Sequence, residues 1–117
     1  MRSLGTIALI PSLLLGSLGA HAHSIVDRAS PSPGSTVRTP PREVSIRFTQ
    51  KLEPAFSTMT VTNAAGERVD TGAASADGNT MRVSLQQIDS GTYRVTWRVL
   101  SVDTHTTQGA FNFHVRP

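Results

Sequence analysis

Regular alternation of apolar and polar residues is the dominant pattern in the second half of this chain. After the turn signal Asp89-Ser90-Gly91, every second residue is large and apolar: Tyr93, Val95, Trp97 and Val99. Successive side chains of a β-strand point to opposite faces, so these four are expected to face a core and the intervening threonines and arginines to face water. The segment Ala110–Arg116 repeats the pattern, with Phe111, Phe113 and Val115 inward and His114 on the solvent side.

Shorter alternating stretches precede these two strands. Val44–Thr49 is the clearest, because Val44, Ile46 and Phe48 share one face. Further strands are predicted at Ser57–Thr62 and Thr80–Leu85, with Met59 and Met81 inward, and a weak one at Glu67–Thr71, while Ser75–Asn79 contains Asp-Gly and is predicted to be a turn. The proline-rich segment Ser24–Pro41 is expected to form an extended arm with turns, with Ile25 and Val37 facing inward.

The predicted elements define the fold class. Six or seven short strands separated by turns, with no helical period outside the first residues, predict an all-β domain, either a sandwich or a Greek-key barrel. Its core is expected to be built around Phe48, Trp97, Phe111 and Phe113. The chain has no cysteine, so packing without disulfides must hold this domain together, and thiolate metal sites are excluded.

The first 22 residues have the pattern of a secretory signal peptide. Arg2 supplies a positive charge, an apolar run extends from Leu4 to about Leu18, and Ala20-His21-Ala22 provides small residues for signal peptidase. Cleavage after Ala22 gives a mature domain of residues 23–117 that begins at His23; cleavage after Ala20 is the alternative. We therefore expect a soluble mature protein in the periplasm or outside the cell, with a retained N-terminal anchor as the alternative. No apolar segment of the mature chain is long enough to cross a bilayer.

Net charge adds one exclusion. The formal net charge is +3 and no run of basic residues occurs, so the sequence does not indicate nucleic-acid binding.

Candidate chemistry is concentrated at three residues. An N-terminal His23 offers both an α-amine and an imidazole, which together can chelate one metal ion. Asp103 and His105 are two residues apart, so in extended backbone their side chains point to the same side. Amine, imidazole and carboxylate suit Cu(II) best, although nickel and zinc can use the same ligands. Because the amine, with an ordinary pKa of roughly 7.7–8.0, must lose its proton to bind, affinity should fall in acid.

Several segments together resemble the CopC family of periplasmic copper-binding proteins. They are His23-Ser24-Ile25-Val26, Ser30–Ser35, Val44–Thr49, Ser90–Val99, Ser101–His105 and Gly109-Ala110-Phe111. The resemblance implies a cupredoxin-like or immunoglobulin-like β-barrel that binds one Cu(II) through His23, Asp103 and His105. It also implies a role in copper tolerance or delivery, with an inner-membrane copper importer of the CopD kind or another periplasmic copper protein as partner.

Two positions depart from the family pattern. Gln50 stands where many members have an acidic residue, and Thr104 stands where glycine is usual. Some members also have a methionine-rich Cu(I) site, which we do not expect here because Met59 and Met81 are the only methionines beyond the predicted leader.

A non-enzymatic copper carrier or buffer is the function that these observations favour. An N-terminal histidine on a β-sandwich also resembles the histidine brace of copper monooxygenases, which makes a copper oxidase the enzymatic alternative. A metal-free, immunoglobulin-like interaction module is the third possibility.

Overall fold

The computed structural model describes residues 25–117, which fold into two β-sheets of four strands each. In chain order the strands are β1 (Val26–Ser30), β2 (Thr36–Val37), β3 (Glu43–Phe48), β4 (Thr58–Thr62), β5 (Ser75–Asp77), β6 (Thr80–Ser84), β7 (Gly91–Leu100) and β8 (Thr106–Val115). The first sheet has the order β1-β3-β6-β5 and the second the order β2-β8-β7-β4. The all-β prediction is confirmed, and the architecture is a sandwich. Among residues 25–117, no helix has the length and apolar character needed to span a membrane.

The core lies between the inner faces of the two sheets. Buried residues occupy alternate positions along β3, β4, β6 and β7, as the hydrophobic pattern predicts. Phe48 of the first sheet meets the edge of Trp97 of the second, with ring centroids 5.1 Å apart. Tyr93 stacks on Phe113 within the second sheet at 5.4 Å. Phe111 is only partly buried, but it packs against this core as expected.

The weak strand predicted at Glu67–Thr71 does not form. Only isolated bridges, Thr62↔Arg68 and Asp70↔Leu85, connect this segment to its neighbours. Asp70 explains the difference, because its buried carboxylate accepts hydrogen bonds from the Val61 and Gly72 N–H groups and from two nitrogens of Arg68, at 2.7–2.8 Å. A side chain therefore replaces part of the backbone ladder that a regular strand would have made.

The prediction of a turn over the whole of Ser75–Asn79 is wrong in part. Residues Ser75–Asp77 form the edge strand β5, which pairs with β6. Only Gly78 and Asn79 turn, and Gly78 has a φ of 63°, a value that glycine adopts without a steric penalty. The segment is thus part of a tight hairpin, in which hydrogen bonds to β6 make residues 75–77 a strand although their composition is typical of a turn.

The proline-rich arm contains two strands that belong to different sheets. β1 pairs with β3 in the first sheet, while β2 runs parallel to β8 in the second. Val37 packs against the core as predicted, but Ile25 is 55% exposed, which contradicts its predicted inward position. Ile25 lies just before β1, outside the sandwich core.

Candidate metal centre

A short turn between β7 and β8 carries Asp103 and His105. The sequence predicted that β8 begins at Ala110, but the strand begins at Thr106, so the connection is only residues 101–105. The Ser101 N–H donates to the His105 carbonyl at 2.9 Å, and the Thr104 N–H donates to the Ser101 carbonyl at 2.8 Å. These bonds close the turn and fix the positions of both candidate ligands.

The side chains of Asp103 and His105 meet in this turn. Asp103 Oδ1 lies 3.3 Å from His105 Nδ1, and it also accepts a hydrogen bond from the His105 backbone N–H at 3.3 Å. Both side chains are substantially exposed, at 38% and 52% respectively. The pair is therefore accessible to an ion from solvent. The two atoms that could bind it, Asp103 Oδ1 and His105 Nδ1, already lie next to one another.

The reason for this proximity differs from the predicted one. The two-residue spacing predicts both side chains on one side of an extended backbone, whereas the backbone here turns at Thr104. Thr104 has a φ of 70°, which lies in the left-handed region that a β-branched residue rarely adopts. Glycine adopts this conformation without a steric penalty, so Thr104 is a position at which glycine would fit better.

Residues 49–52 connect the turn to the start of the described chain. The Ile25 N–H donates to Thr49 Oγ1 at 3.1 Å, and the Thr49 N–H donates back to the Ile25 carbonyl at 3.0 Å. Two residues further on, the Lys51 carbonyl accepts a hydrogen bond from the Val102 N–H at 3.0 Å. One short segment thus holds both Ile25 and the residue that precedes Asp103, and Gln50 lies between the two attachment points.

Ser57 fixes the other side of the turn. This serine is 7% exposed, its hydroxyl donates to the Glu53 carbonyl at 2.9 Å, and it accepts from the Leu100 N–H at 3.2 Å. The Glu53 N–H in turn donates to the Leu100 carbonyl at 2.8 Å. The end of β7 is therefore bound to the segment before β4 immediately before the turn begins. No signal in the sequence distinguished Ser57 for this role.

Three large apolar residues are exposed in the turn and in segments connected to it. Ile25, Phe56 and Val102 are exposed large hydrophobic residues, at 55%, 68% and 47%. Each is attached by a backbone hydrogen bond to the segment of residues 49–53, Phe56 through the Glu53 carbonyl. Exposed apolar residues that form a contiguous patch are typical of a surface that contacts other molecules.

The remaining candidates lie elsewhere or outside the described residues. His23 and the predicted signal peptide precede residue 25, and within residues 25–117 no group of three or more acidic or histidine side chains is arranged to hold a metal ion. His114 faces away from the core and its Nδ1 lies 2.9 Å from Thr92 Oγ1. Met59 and Met81 are 3% and 0% exposed, so both are core residues.

A family model, a copper resistance protein and two solved structures, of CopC and PcoC, are similar to this chain. The model of the CopC domain family matches residues 26–116. The chain is 34% identical to copper resistance protein C of Xanthomonas campestris pv. juglandis, over 98% of this chain and 97% of that protein. The crystal structure of CopC from Methylosinus trichosporium OB3b is similar with a TM-score of 0.76 and 32% identity, over 81% of this chain and 95% of that one. PcoC, a methionine-rich copper resistance protein from Escherichia coli, is similar with a TM-score of 0.71 and 29% identity, over 81% of this chain and all of that one.

Proposed function

This chain belongs to the CopC family, and on that premise we propose that its mature form, residues 23–117, is a periplasmic Cu(II)-binding protein. It carries or buffers one copper ion per chain, in copper tolerance or in delivery to a partner. The ligands are the α-amine and imidazole of His23, the imidazole of His105 and a carboxylate oxygen of Asp103. An exposed Asp103–His105 pair, held in a hydrogen-bonded turn, is the observation that carries this proposal.

The attachment of Ile25 supports the inclusion of His23 in this ligand set. Ile25 and Val102 are bound to residues 49 and 51 of one segment, whose Cα atoms can be at most roughly 7 Å apart. His23 is two residues before Ile25, so it can extend a similar distance from this attachment. Amine, two imidazoles and a carboxylate then complete the four-coordinate arrangement that Cu(II) prefers.

Delivery to another protein is supported by the exposed apolar side chains next to the turn. Transfer of an ion requires that donor and acceptor sites approach closely, and Ile25, Phe56 and Val102 provide apolar contact area where the approach would occur. A membrane copper importer or a second periplasmic copper protein fits this requirement. Tyr93 and Trp97, the only tyrosine and tryptophan, are buried and cannot form a platform for a sugar substrate, which argues against a sugar-oxidising monooxygenase.

The test compares three versions of the purified protein. One begins at His23, one has a single glycine added before His23, and a control has the same glycine added after Pro117. We expect the first and third to bind one equivalent of Cu(II) equally tightly in a competition titration with a chelator. The second should bind at least 100-fold more weakly, because its histidine nitrogen is locked in an amide. Equal affinity of all three would show that the amine is not a ligand.

Asp103 is tested separately. Asp103→Ala removes a negatively charged oxygen donor that favours Cu(II) over Cu(I), so the bound copper should be reduced faster by ascorbate. The rate is measured from the loss of the Cu(II) electron paramagnetic resonance signal. An unchanged rate would exclude Asp103 from control of the redox state.

A further inference from the structure

Acidic residues are divided unequally between the two sheets. The strands of the first sheet contain Asp27, Glu43 and Asp77. The strands of the second sheet, β2, β4, β7 and β8, contain no aspartate or glutamate. The outer face of the second sheet therefore carries no negative side chain on its strands, and any basic residue there acts without a neutralising neighbour in the sheet.

Four arginines supply positive charge to this face. Arg94 and Arg98 occupy outward positions of β7, between the buried residues of that strand. Arg116 follows β8 and Arg38 follows β2; both are exposed, and the Arg116 N–H donates to the Val37 carbonyl at 2.9 Å, which continues the pairing of the two strands. Within residues 25–117, the ion pairs are Arg47–Asp27, Arg68–Asp70 and the Asp103–His105 contact, so none of the four arginines is neutralised.

Most other outward residues of this face are polar, and none on its strands is acidic. Thr60 lies opposite Thr96, whereas Thr58 and Thr62 lie opposite Arg98 and Arg94. Gln108, Asn112 and His114 of β8 face the same side. The aromatic residues of these strands, Tyr93, Trp97, Phe111 and Phe113, all belong to or pack against the core. The ring that these strands place on the outward side is the imidazole of His114, whose Nδ1 lies 2.9 Å from Thr92 Oγ1. The face therefore has no phenyl, phenol or indole ring for base stacking, which is a principal contact in single-strand recognition.

The spacing of the charges indicates the shape of the ligand. Arg94 and Arg98 are four residues apart on one strand, which separates their Cα atoms by about 13 Å. Arg116 lies about the same distance beyond Arg94, because Val115 pairs with Gly91. Charges this far apart match a planar array of anions better than one small anion. We propose that this face, defined by Arg38, Arg94, Arg98 and Arg116, docks on a bilayer surface that contains anionic phospholipid.

Such docking is expected to be weak and reversible. Each arginine near an anionic bilayer strengthens binding about fivefold, so four give several hundredfold, and salt screens the attraction. With the second sheet flat on the bilayer, β7 and β8 run along the surface and the Asp103–His105 turn lies at the edge of the docked domain. This inference goes beyond the metal-binding proposal and does not depend on it.

Vesicle binding of the mature chain tests the proposal. Co-sedimentation is measured with vesicles of phosphatidylcholine alone and with roughly one-third phosphatidylglycerol, in low and high salt. Arg94→Ser/Arg98→Ser is compared with Arg28→Ser/Arg82→Ser, which changes the net charge equally on the exposed face of the first sheet. Circular dichroism and thermal unfolding establish that both variants are folded.

We expect salt-sensitive binding only to the anionic vesicles. The β7 double variant should lose about 25-fold in partitioning, and the control variant less than threefold. Equal losses in both variants would mean that net charge alone attracts the protein, and this would overturn the proposal. Absence of binding to anionic vesicles would also overturn it, and binding to an acidic polypeptide but not to vesicles would reassign the face to a protein partner.

Discussion

Gly109 is required by the ring of Trp97, which lies directly opposite it in the β7–β8 pair. A Cβ atom placed on Gly109 would be 2.6 Å from Trp97 Cζ2 and 3.1 Å from Cε2, whereas favourable carbon contacts begin at about 3.5 Å. Neither partner can move easily. The two residues are fixed by the ladder, and Trp97 is held by the edge contact with Phe48, which is fully buried. Gly109→Ala must therefore push the indole off its position by about 1 Å.

The cost of this displacement can be bounded. Overpacking a filled core by one methyl group typically costs about 1–3 kcal/mol, while removal of a glycine from a strand returns about 0.5–1 kcal/mol. We expect Gly109→Ala to lower the free energy of unfolding by about 1–2 kcal/mol, which corresponds to roughly 4–16 °C in Tm for a domain of this size.

A double-mutant cycle with Trp97→Phe isolates the clash. Phenylalanine lacks the outer benzo carbons of the indole, so in that background Gly109→Ala should be neutral or stabilising. The coupling energy between the two positions is then about 2 kcal/mol, measured by urea unfolding followed by far-ultraviolet circular dichroism. If the alanine costs the same in both backgrounds, to within about 0.5 kcal/mol, the explanation through Trp97 is wrong.

Three further predictions concern stability near the turn and at the buried carboxylate. Burial raises the pKa of Asp70, but the hydrogen bonds from Arg68 and from backbone N–H groups outweigh it and hold the pKa below its ordinary value of 3.8. Because the folded pKa is depressed, the charged carboxylate stabilises the domain above pH 3.8, and this contribution disappears as the pH falls through the folded pKa. Asp70→Asn should lower the free energy of unfolding by about 2–3 kcal/mol at neutral pH and by progressively less below pH 3.8. Urea unfolding across a pH series measures this, and a difference that is independent of pH would contradict it. Ser57→Ala removes the hydroxyl that joins Glu53 to Leu100 and should cost about 1–2 kcal/mol in thermal unfolding, with Thr58→Ala, at the exposed neighbouring position, as a nearly neutral control. Thr104→Gly relieves a left-handed conformation and should raise the free energy of unfolding by about 0.5–2 kcal/mol, so a destabilised variant would show that Thr104 is not strained.

The strands that alternate regularly could be predicted from the sequence. β3, β4, β6 and β7 lie where the pattern predicted them, because a two-residue period of large apolar side chains is compatible with only one face being buried. The edge strand β5 could not be predicted in this way. Its only apolar residue is Ala76, and its hydrogen bonds come from β6.

The candidate site also has features that the sequence predicts and features that it does not. Three potential ligands, their chemistry and the dependence on an exposed N-terminus could be inferred from residue types and a cleavage pattern. The turn at Thr104, and the hydrogen bonds of residues 49–53 to the candidate turn, could not, because these contacts join segments that are far apart along the chain.

The sequence by itself determined which residues of the alternating strands face the core and which side chains offer metal-ligand chemistry, since both depend on local pattern and residue type. Only the tertiary structure decided which strands share a sheet. That choice brings Ile25 and Val102 to one segment and collects four arginines on a face whose strands carry no acid. Strand order depends on long-range pairing, and no local period in the chain encodes it.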